Sequence, residues 1–422
     1  MRQSETAILH YTAPPVVGGV EAVIGAHAQV FGQAGYPVTV VAGWGERAGL
    51  PRRTGFIRIP EMDSQHERVM EASAVLEQGQ VPPGFDDLVN LLVERLTVVL
   101  GRFDHVIVHN VFTKHFNLPL TAALHYLLDA DVIHRCIAWC HDFTWASPSS
   151  RSKVHPGYPW DLLRSYRSDV AYVTVSRRRQ RALAALLGCP LEQVHVIYNG
   201  TDAKNLLGLS TEGYRLVNRL GMLGCDLALL MPVRVTQAKN IEYALQVVAA
   251  LKGRGCRPKL IVTGPPDPHD AQSMAYFQLL QALRRQLEVE PEMRFVYESG
   301  PDPEQPFTIG TRVVGDLIRA SDVVFMPSHR EGFGMPVLEA GLVGVPVVCT
   351  SVPAAEEIGG EDVILIDTDA DPTHVAGQIL SWAEQSPVHR LRRRVRRDYT
   401  WQAIFRRDIE PLLGMPGGEE SL

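Results

Sequence analysis

The sequence predicts an α/β protein made of two doubly wound sheets, mostly parallel. Three observations carry that expectation. Short apolar runs alternate with stretches of helical periodicity, first through the N-terminal half and again through the C-terminal half. Alternation of this kind implies parallel strands joined by crossover helices that cover both faces of a sheet. Between the halves, residues 199–211 lack periodicity and read as a linker. Lastly, glycine-bearing and charged segments follow directly on the strand-like runs, and doubly wound folds bind their ligands at those carboxyl ends.

Taken in order, the first half opens with a strand at 7–11, a loop at 12–19 and a helix from 20 to 33. Residues 38–42 and 56–59 read as further strands. The polar segment 61–83 resists assignment. A helix at 86–100 is followed by strands at 105–109 and 132–139. Residues 172–175 form a short strand. Ser176 follows it and suits the start of a helix, where its hydroxyl accepts from a free amide. Residues 194–198 close this half. The pattern restarts with strands at 227–231, 259–262, 293–297, 323–326 and 345–349, and helices near 241–251, 271–287, 313–320 and 336–343. The expected domains are 1–205, 206–397 and a terminal helix, 398–422, that packs back on the first domain.

Composition narrows the function. The chain has 422 residues, 45% of them apolar and 21% charged, so a full core is expected and global disorder is excluded. A net charge of -6 argues against a general nucleic-acid binder. The six cysteines are scattered, several inside apolar runs, which predicts reduced, buried thiols in a cytoplasmic protein. The N-terminus has no signal-like segment, and no apolar run reaches the roughly 18 residues of a membrane span. Six arginines fall within residues 390–397. That run has two readings, a solvated helix face or attraction to an anionic membrane surface, which leaves peripheral membrane contact open.

The segment PSHREGFGMPVLEA at 327–340 follows a predicted strand. Gly332 and Gly334 allow a sharp turn and close backbone approach to a ligand. Pro336 suits the first turn of a helix, so the amides from Gly334 to Val337, with Phe333 and Met335 beside them, form a place for a phosphate. Glu331 and Glu339 are carboxylates that can each accept two hydroxyls, the former from a transferred sugar and the latter from a ribose. Arg234 and Lys239 follow the first strand of the second half. There they would neutralise a diphosphate leaving group as charge develops on it. Gly18 and Gly19 follow the first strand of the chain, without the dinucleotide-binding spacing of glycines. His141 and Asp142 follow the strand ending at Cys140. Cys136, Cys140 and His141 find no fourth ligand at a zinc-site spacing, so no metal is expected. Asn110, Thr113 and Lys114, on the loop after 105–109, are candidate acceptor contacts, and so is Asp142. Lys114 reads either as a partner for an anionic acceptor or as a solvated lysine.

The two glutamates of EGFGMPVLEA, separated by seven residues, resemble the signature of family 4 of the retaining GT-B glycosyltransferases. Val17-Gly-Gly-Val-Glu21, Val196-Ile-Tyr-Asn-Gly-Thr-Asp202 and the Arg234–Lys239 pair are similar to further segments of that family, in the same order. So is the strand-like Val347-Val-Cys-Thr-Ser351 with Glu357 after it. The resemblance implies a GT-B fold of two Rossmann-like domains facing a cleft, a nucleotide-sugar donor and retention at the anomeric carbon. It places His141 near the transferred sugar, and Thr263, Gly264, Glu298 and Ser299 near the nucleotide. No cofactor is implied, because the nucleotide-sugar is a substrate and cationic side chains stand in for a metal. The competing expectations are a nucleotide-sugar epimerase or phosphorylase on the same fold, a non-catalytic nucleotide-sugar-binding protein, and a dehydrogenase. The missing dinucleotide fingerprint weighs against the last.

Overall fold

The computed structural model describes residues 4–266, 271–302 and 305–414. The chain divides into two compact units, one of residues 1–201 with 401–422, the other of residues 202–400. Each is a parallel sheet covered by helices.

The first unit contains β1 (Thr6–Thr12), β2 (Val38–Trp44), β3 (Gly55–Arg58), β4 (His105–His109), β5 (Cys136–Cys140), β6 (Val170–Thr174) and β7 (Val194–Val196). They form one seven-stranded sheet in the order β3-β2-β1-β4-β5-β6-β7. The second unit contains β8 (Leu227–Met231), β9 (Pro258–Val262), β10 (Met293–Phe295), β11 (Val323–Met326), β12 (Val347–Thr350) and β13 (Ile364–Ile366). Its six-stranded sheet has the order β10-β9-β8-β11-β12-β13. All pairings are parallel, and the strand order reverses between β1 and β4 and between β8 and β11. A strand sends successive side chains to opposite faces, so a continuous apolar strand feeds two cores at once. Leu227, Leu229 and Met231 of β8 join one cluster, whereas Ala228 and Leu230 join the cluster on the other face.

Several elements differ from expectation for identifiable reasons. Residues 118–129 form a helix that the periodicity hid, because nearly every face of it is buried and there is no polar stripe to mark a period. Asn117 caps it by accepting from the Leu120 amide. The strand expected at 132–139 begins only at Cys136, since the Val132 amide bonds back to Leu127 at the end of that helix. Within the unassigned segment 61–83, Glu67–Leu76 is a helix that buries Val69, Ala72 and Leu76. The edge strand β13 and helices Thr211–Arg219, Pro353–Gly359 and Pro372–Gln385 were not expected at all. Ser176 does cap the helix Arg177–Leu187, accepting from the Arg179 amide.

The arginine run belongs to the helix Pro387–Asp398 and is only partly a solvated face. Arg396 is buried and grips Asp322 with two bonds of 3.0 and 2.8 Å. Arg393 bonds Asp226 at 3.1 Å. Neither of the two readings of the run anticipated this internal clamp. Among the described residues no helix is long and apolar enough to cross a membrane. All six cysteines are free.

After Thr400 the chain returns to the first unit. Trp401, Ile404, Phe405, Ile409, Leu412 and Leu413 enter the cluster that holds Ile8, Val30 and Phe31. Phe31 and Phe405 meet edge to face at 5.0 Å, and the Tyr36 hydroxyl donates to Glu410 at 2.9 Å. Gly200 makes this docking possible, because a Cβ there would lie 2.7 Å from the Trp401 ring. Gly200→Ala is therefore expected to lower the thermal unfolding midpoint by several degrees, the effect of ~1–3 kcal/mol of overpacking. An unchanged midpoint would show that the terminal segment yields without cost.

Candidate active site

In the second unit, the loop after β11 turns at Gly334, whose φ of 83° is left-handed, and enters the helix Met335–Leu342 with Pro336 in its first turn. Only a residue without a Cβ adopts that backbone at little cost. The expected set of amides from Gly334 to Val337 is narrower in the structure: Pro336 has no N–H and the Val337 amide donates to Gly334 O at 2.9 Å, which leaves those of Gly334 and Met335. Gly332 has open space around it. Phe333 and Met335 are exposed, and Val337 is buried beneath them. Glu339, in the second turn, has no hydrogen-bond or ion-pair partner among the described residues.

The loop after β8 carries Arg234 and Lys239. The Lys239 ammonium lies 2.7 Å from Glu331 Oε2, with the glutamate side chain only 7% exposed. Ser328 donates to the other oxygen of Glu331 at 2.6 Å, and Thr350 donates to the Ser328 carbonyl. The His329 amide bonds to Ala238 O at 3.0 Å, which ties the two loops by their backbones. Thr263 and Gly264 follow β9 and press against the same loop. The Gly264 amide bonds to Val233 O at 2.9 Å, and a Cβ on Gly264 would fall 2.7 Å from the Arg234 Cα. Arg234, Lys239, Thr263, Gly264 and Glu331 are thus gathered at the carboxyl ends of β8, β9 and β11, where the strand order reverses. Glu298 stands apart, bonded to Gln281 at 3.0 Å and to Arg284. Ser299 donates to Phe295 O at 2.6 Å.

In the first unit, Gly18 and Gly19 stand at the start of the helix Gly19–Ala34. A Cβ on Gly18 would collide with the Glu21 carboxylate at 2.1 Å, so this glycine lets Glu21 fold back over the turn. Glu21 accepts from Thr12 and lies 3.9 Å from His10 Nε2. Space around Gly19 is open. His141 follows β5 and is 8% exposed. Its Nε2 sits 3.1 Å from His109 Nδ1, and the two rings stack 18° from parallel. Burial, with repulsion from His10, pushes the His141 pKa down to about 4, so the ring is neutral near pH 7. With Nε2 taken up by His109, Nδ1 is the ring atom left for another partner.

Asn110 and Thr113, expected as acceptor contacts, are buried and bonded internally. Asn110 adopts a φ of 60°, and its side-chain oxygen accepts from the amides of His141 and Asp142 at 2.8 and 3.2 Å. Thr113 donates to Asp142 O at 2.8 Å. Both shape the loop that carries His141. The Asp142 carboxylate pairs with Arg179 at 2.8 Å. Lys114 is half-buried, its ammonium 4.6 Å from the centre of the Phe116 ring. Among the described residues no group of three His, Cys, Asp or Glu side chains is placed to hold a metal ion.

Sequence reasoning overlooked Ser328 and His109 as partners of the named residues. Both lay inside segments already singled out, Ser328 in 327–340 and His109 at the head of the loop that carries Asn110. Neither carries a pattern that separates a supporting residue from a bystander.

Residues 17–205 match the family profile described as Glycosyltransferase Family 4, and residues 225–398 match Glycosyl transferases group 1. The chain is 26% identical over 245 residues to an uncharacterized glycosyltransferase of Methanocaldococcus jannaschii, a match covering 56% of this chain and 58% of that protein. It is 23% identical over 431 residues to an MMP alpha-(1->4)-mannosyltransferase of Mycolicibacterium hassiacum, covering 94% of this chain and 95% of that one. A solved glycosyltransferase from Rickettsia africae aligns over 98% of both chains at 14% identity, with a TM-score of 0.37. The two profile matches fall on the two sheet-bearing units in turn, so each unit is similar to a glycosyltransferase family model.

Proposed function

We propose that the protein moves a hexosyl group from a nucleotide-diphosphate sugar, a UDP- or GDP-sugar, to an acceptor, with retention at the anomeric carbon. The observation that carries this reading is the Lys239–Glu331 contact of 2.7 Å, which joins two loops far apart in sequence beside a helix N-terminus. That arrangement supplies a cation, a carboxylate and free amides in one place. A diphosphate needs the first and last of these, and a sugar diol needs the second.

In this reading Arg234, Lys239 and the amides of Gly334 and Met335 hold the diphosphate. Glu331 takes a hydroxyl pair of the transferred sugar, and Glu339 takes the ribose. Gly18 and Gly19 leave room for the reacting groups, and His141 contributes a hydrogen bond to the sugar from Nδ1. The acceptor oxygen attacks the anomeric carbon on the side from which the diphosphate departs. The carbon–oxygen bond to phosphate breaks with its electron pair on the phosphate oxygen. The acceptor's proton passes to that oxygen, so charge balances without a metal. Cations positioned in advance stabilise the charge as it forms. The mannosyltransferase among the relatives favours a hexosyl donor.

Calorimetry with UDP, GDP and ADP tests the donor site. One nucleotide is expected to bind with Kd on the order of 1–100 μM, and transfer from its sugar should survive added chelator. Failure of all three to bind the folded protein would overturn the reading. Proton NMR of the product reads the anomeric configuration, and an inverted product would remove the retaining step.

A further inference from the structure

The first unit holds a cavity of about 480 Å3 whose walls include Met70, Ser73, Glu77, His115, Phe116 and Lys153. Its size suits a small ligand. The walls come from the helix Glu67–Leu76, the loop after β4 and the turn Arg151–Lys153. The strand order of this unit reverses between β1 and β4. Tyr11, near the end of β1, packs edge-on to Phe116 at 5.9 Å and donates to the Lys114 carbonyl at 3.3 Å, so the cavity wall is tied to that point.

The charges of the walls nearly cancel. Glu77 pairs with Lys153 at 2.9 Å and lies 3.7 Å from His115 Nε2. His115 is neutral near pH 7, pushed down to about 4 by burial and by the two lysines. Lys114 does not itself line the cavity, but its ammonium stands against the wall residue Phe116. Among the described residues no carboxylate lies within ion-pair distance of it. Burial, with Arg179 and Lys153 adding to it, lowers the Lys114 pKa in spite of Asp142. A half-buried ammonium with no carboxylate in ion-pair contact is costly, and an anion arriving beside it lowers that cost. Phe116, 42% exposed, offers a flat apolar face, and Ser73 and Glu77 offer groups for hydroxyls.

We propose that this cavity is the acceptor subsite and that it selects acceptors bearing a carboxylate or phosphate, held by Lys114, with their hydroxyl-bearing part against Phe116. The inference rests on the glycosyl-transfer reading above, with the acceptor on the first unit.

The test uses two acidic probes, D-glycerate and glucose 6-phosphate, and their neutral counterparts, glycerol and glucose. Each is titrated into the wild type, Lys114→Met and Lys114→Arg, with and without the nucleotide that binds best. The wild type is expected to bind at least one acidic probe ~10-fold more tightly than its neutral counterpart. Lys114→Met should lose that preference and Lys114→Arg should keep it, both variants melting cooperatively. Which acidic probe wins separates carboxylate from phosphate. Equal affinity for acidic and neutral probes, no acidic probe bound at ~10 mM, or a preference that survives Lys114→Met would each overturn the inference. Nucleotide binding by the wild type is the separate control. Its absence removes the glycosyl-transfer reading, whereas its presence without an acid preference removes only the acceptor assignment.

Discussion

Lys239→Ala should lower kcat/KM by ~10³ and weaken nucleotide affinity by ~10–100-fold. Two losses combine in that number. The diphosphate loses a cation placed where its charge develops. Glu331, 7% exposed, also loses the ion-pair partner 2.7 Å away and keeps Ser328 alone among the bonds described above. A buried carboxylate deprived of its partner is destabilising, by ~2 kcal/mol for one as accessible as this pair. The two losses can be separated. Lys239→Met combined with Glu331→Gln removes both charges, so it should recover the unfolding midpoint while transfer remains low. Steady-state kinetics and thermal melts on the single and double variants check this. A Lys239→Ala enzyme with wild-type kcat/KM would mean that the pair only braces the loops.

Asp322→Asn should destabilise the second unit by ~3–5 kcal/mol, because it leaves the Arg396 guanidinium buried without its counter-ion. Asp322 lies just ahead of β11, bonds the Ala228 amide at 2.8 Å and holds Arg396 through both oxygens. Burial alone would raise its pKa, but His389 beside it, Arg396, the Ala228 amide and Arg392 outweigh burial and press it down to about 2, from an ordinary 3.8. The folded value lies below the unfolded one. The stabilisation is therefore complete above about pH 4 and is lost as the pH falls through about 2. A shift of that size is worth about 2 kcal/mol. Denaturant midpoints of the wild type should thus fall more steeply between pH 4 and 2 than those of Asp322→Asn. Parallel curves would remove Asp322 as the source of the acid sensitivity. Because β11 feeds the loop of Glu331, the same variant should also lose transfer activity at temperatures where the wild type is stable.

The arginine run and the acceptor loop show where a sequence stops informing. Arg396 sits in a run that by composition belongs on a surface, yet its place on the helix turns it toward Asp322. No local pattern distinguishes it from Arg394, which is exposed. Asn110 and Thr113 look like open polar contacts because they follow a strand. Their oxygens instead accept from and donate to the backbone of the loop after β5, a partner about thirty residues away that no spacing rule names. The helix Leu118–Asp129 escaped for the opposite reason, being too apolar all round to show a period. The Glu67–Leu76 helix had its period, but short and among polar residues.

By itself the sequence determined the two doubly wound sheets and the glycine turn into the helix of Glu339. Each of these follows from local chemistry, namely apolar runs bounded by turn residues, glycine where a left-handed backbone is needed, and an apolar helix face to bury. The tertiary structure alone decided that Lys239 meets Glu331, that His109 meets His141, and that Glu77, His115 and Lys153 line one cavity with Phe116, over which Lys114 stands. Those contacts join residues separated by 32 to 92 positions or drawn from several elements. Their geometry is set by how the parallel strands stack side by side, and that order is a property of the assembled sheet rather than of any segment within it.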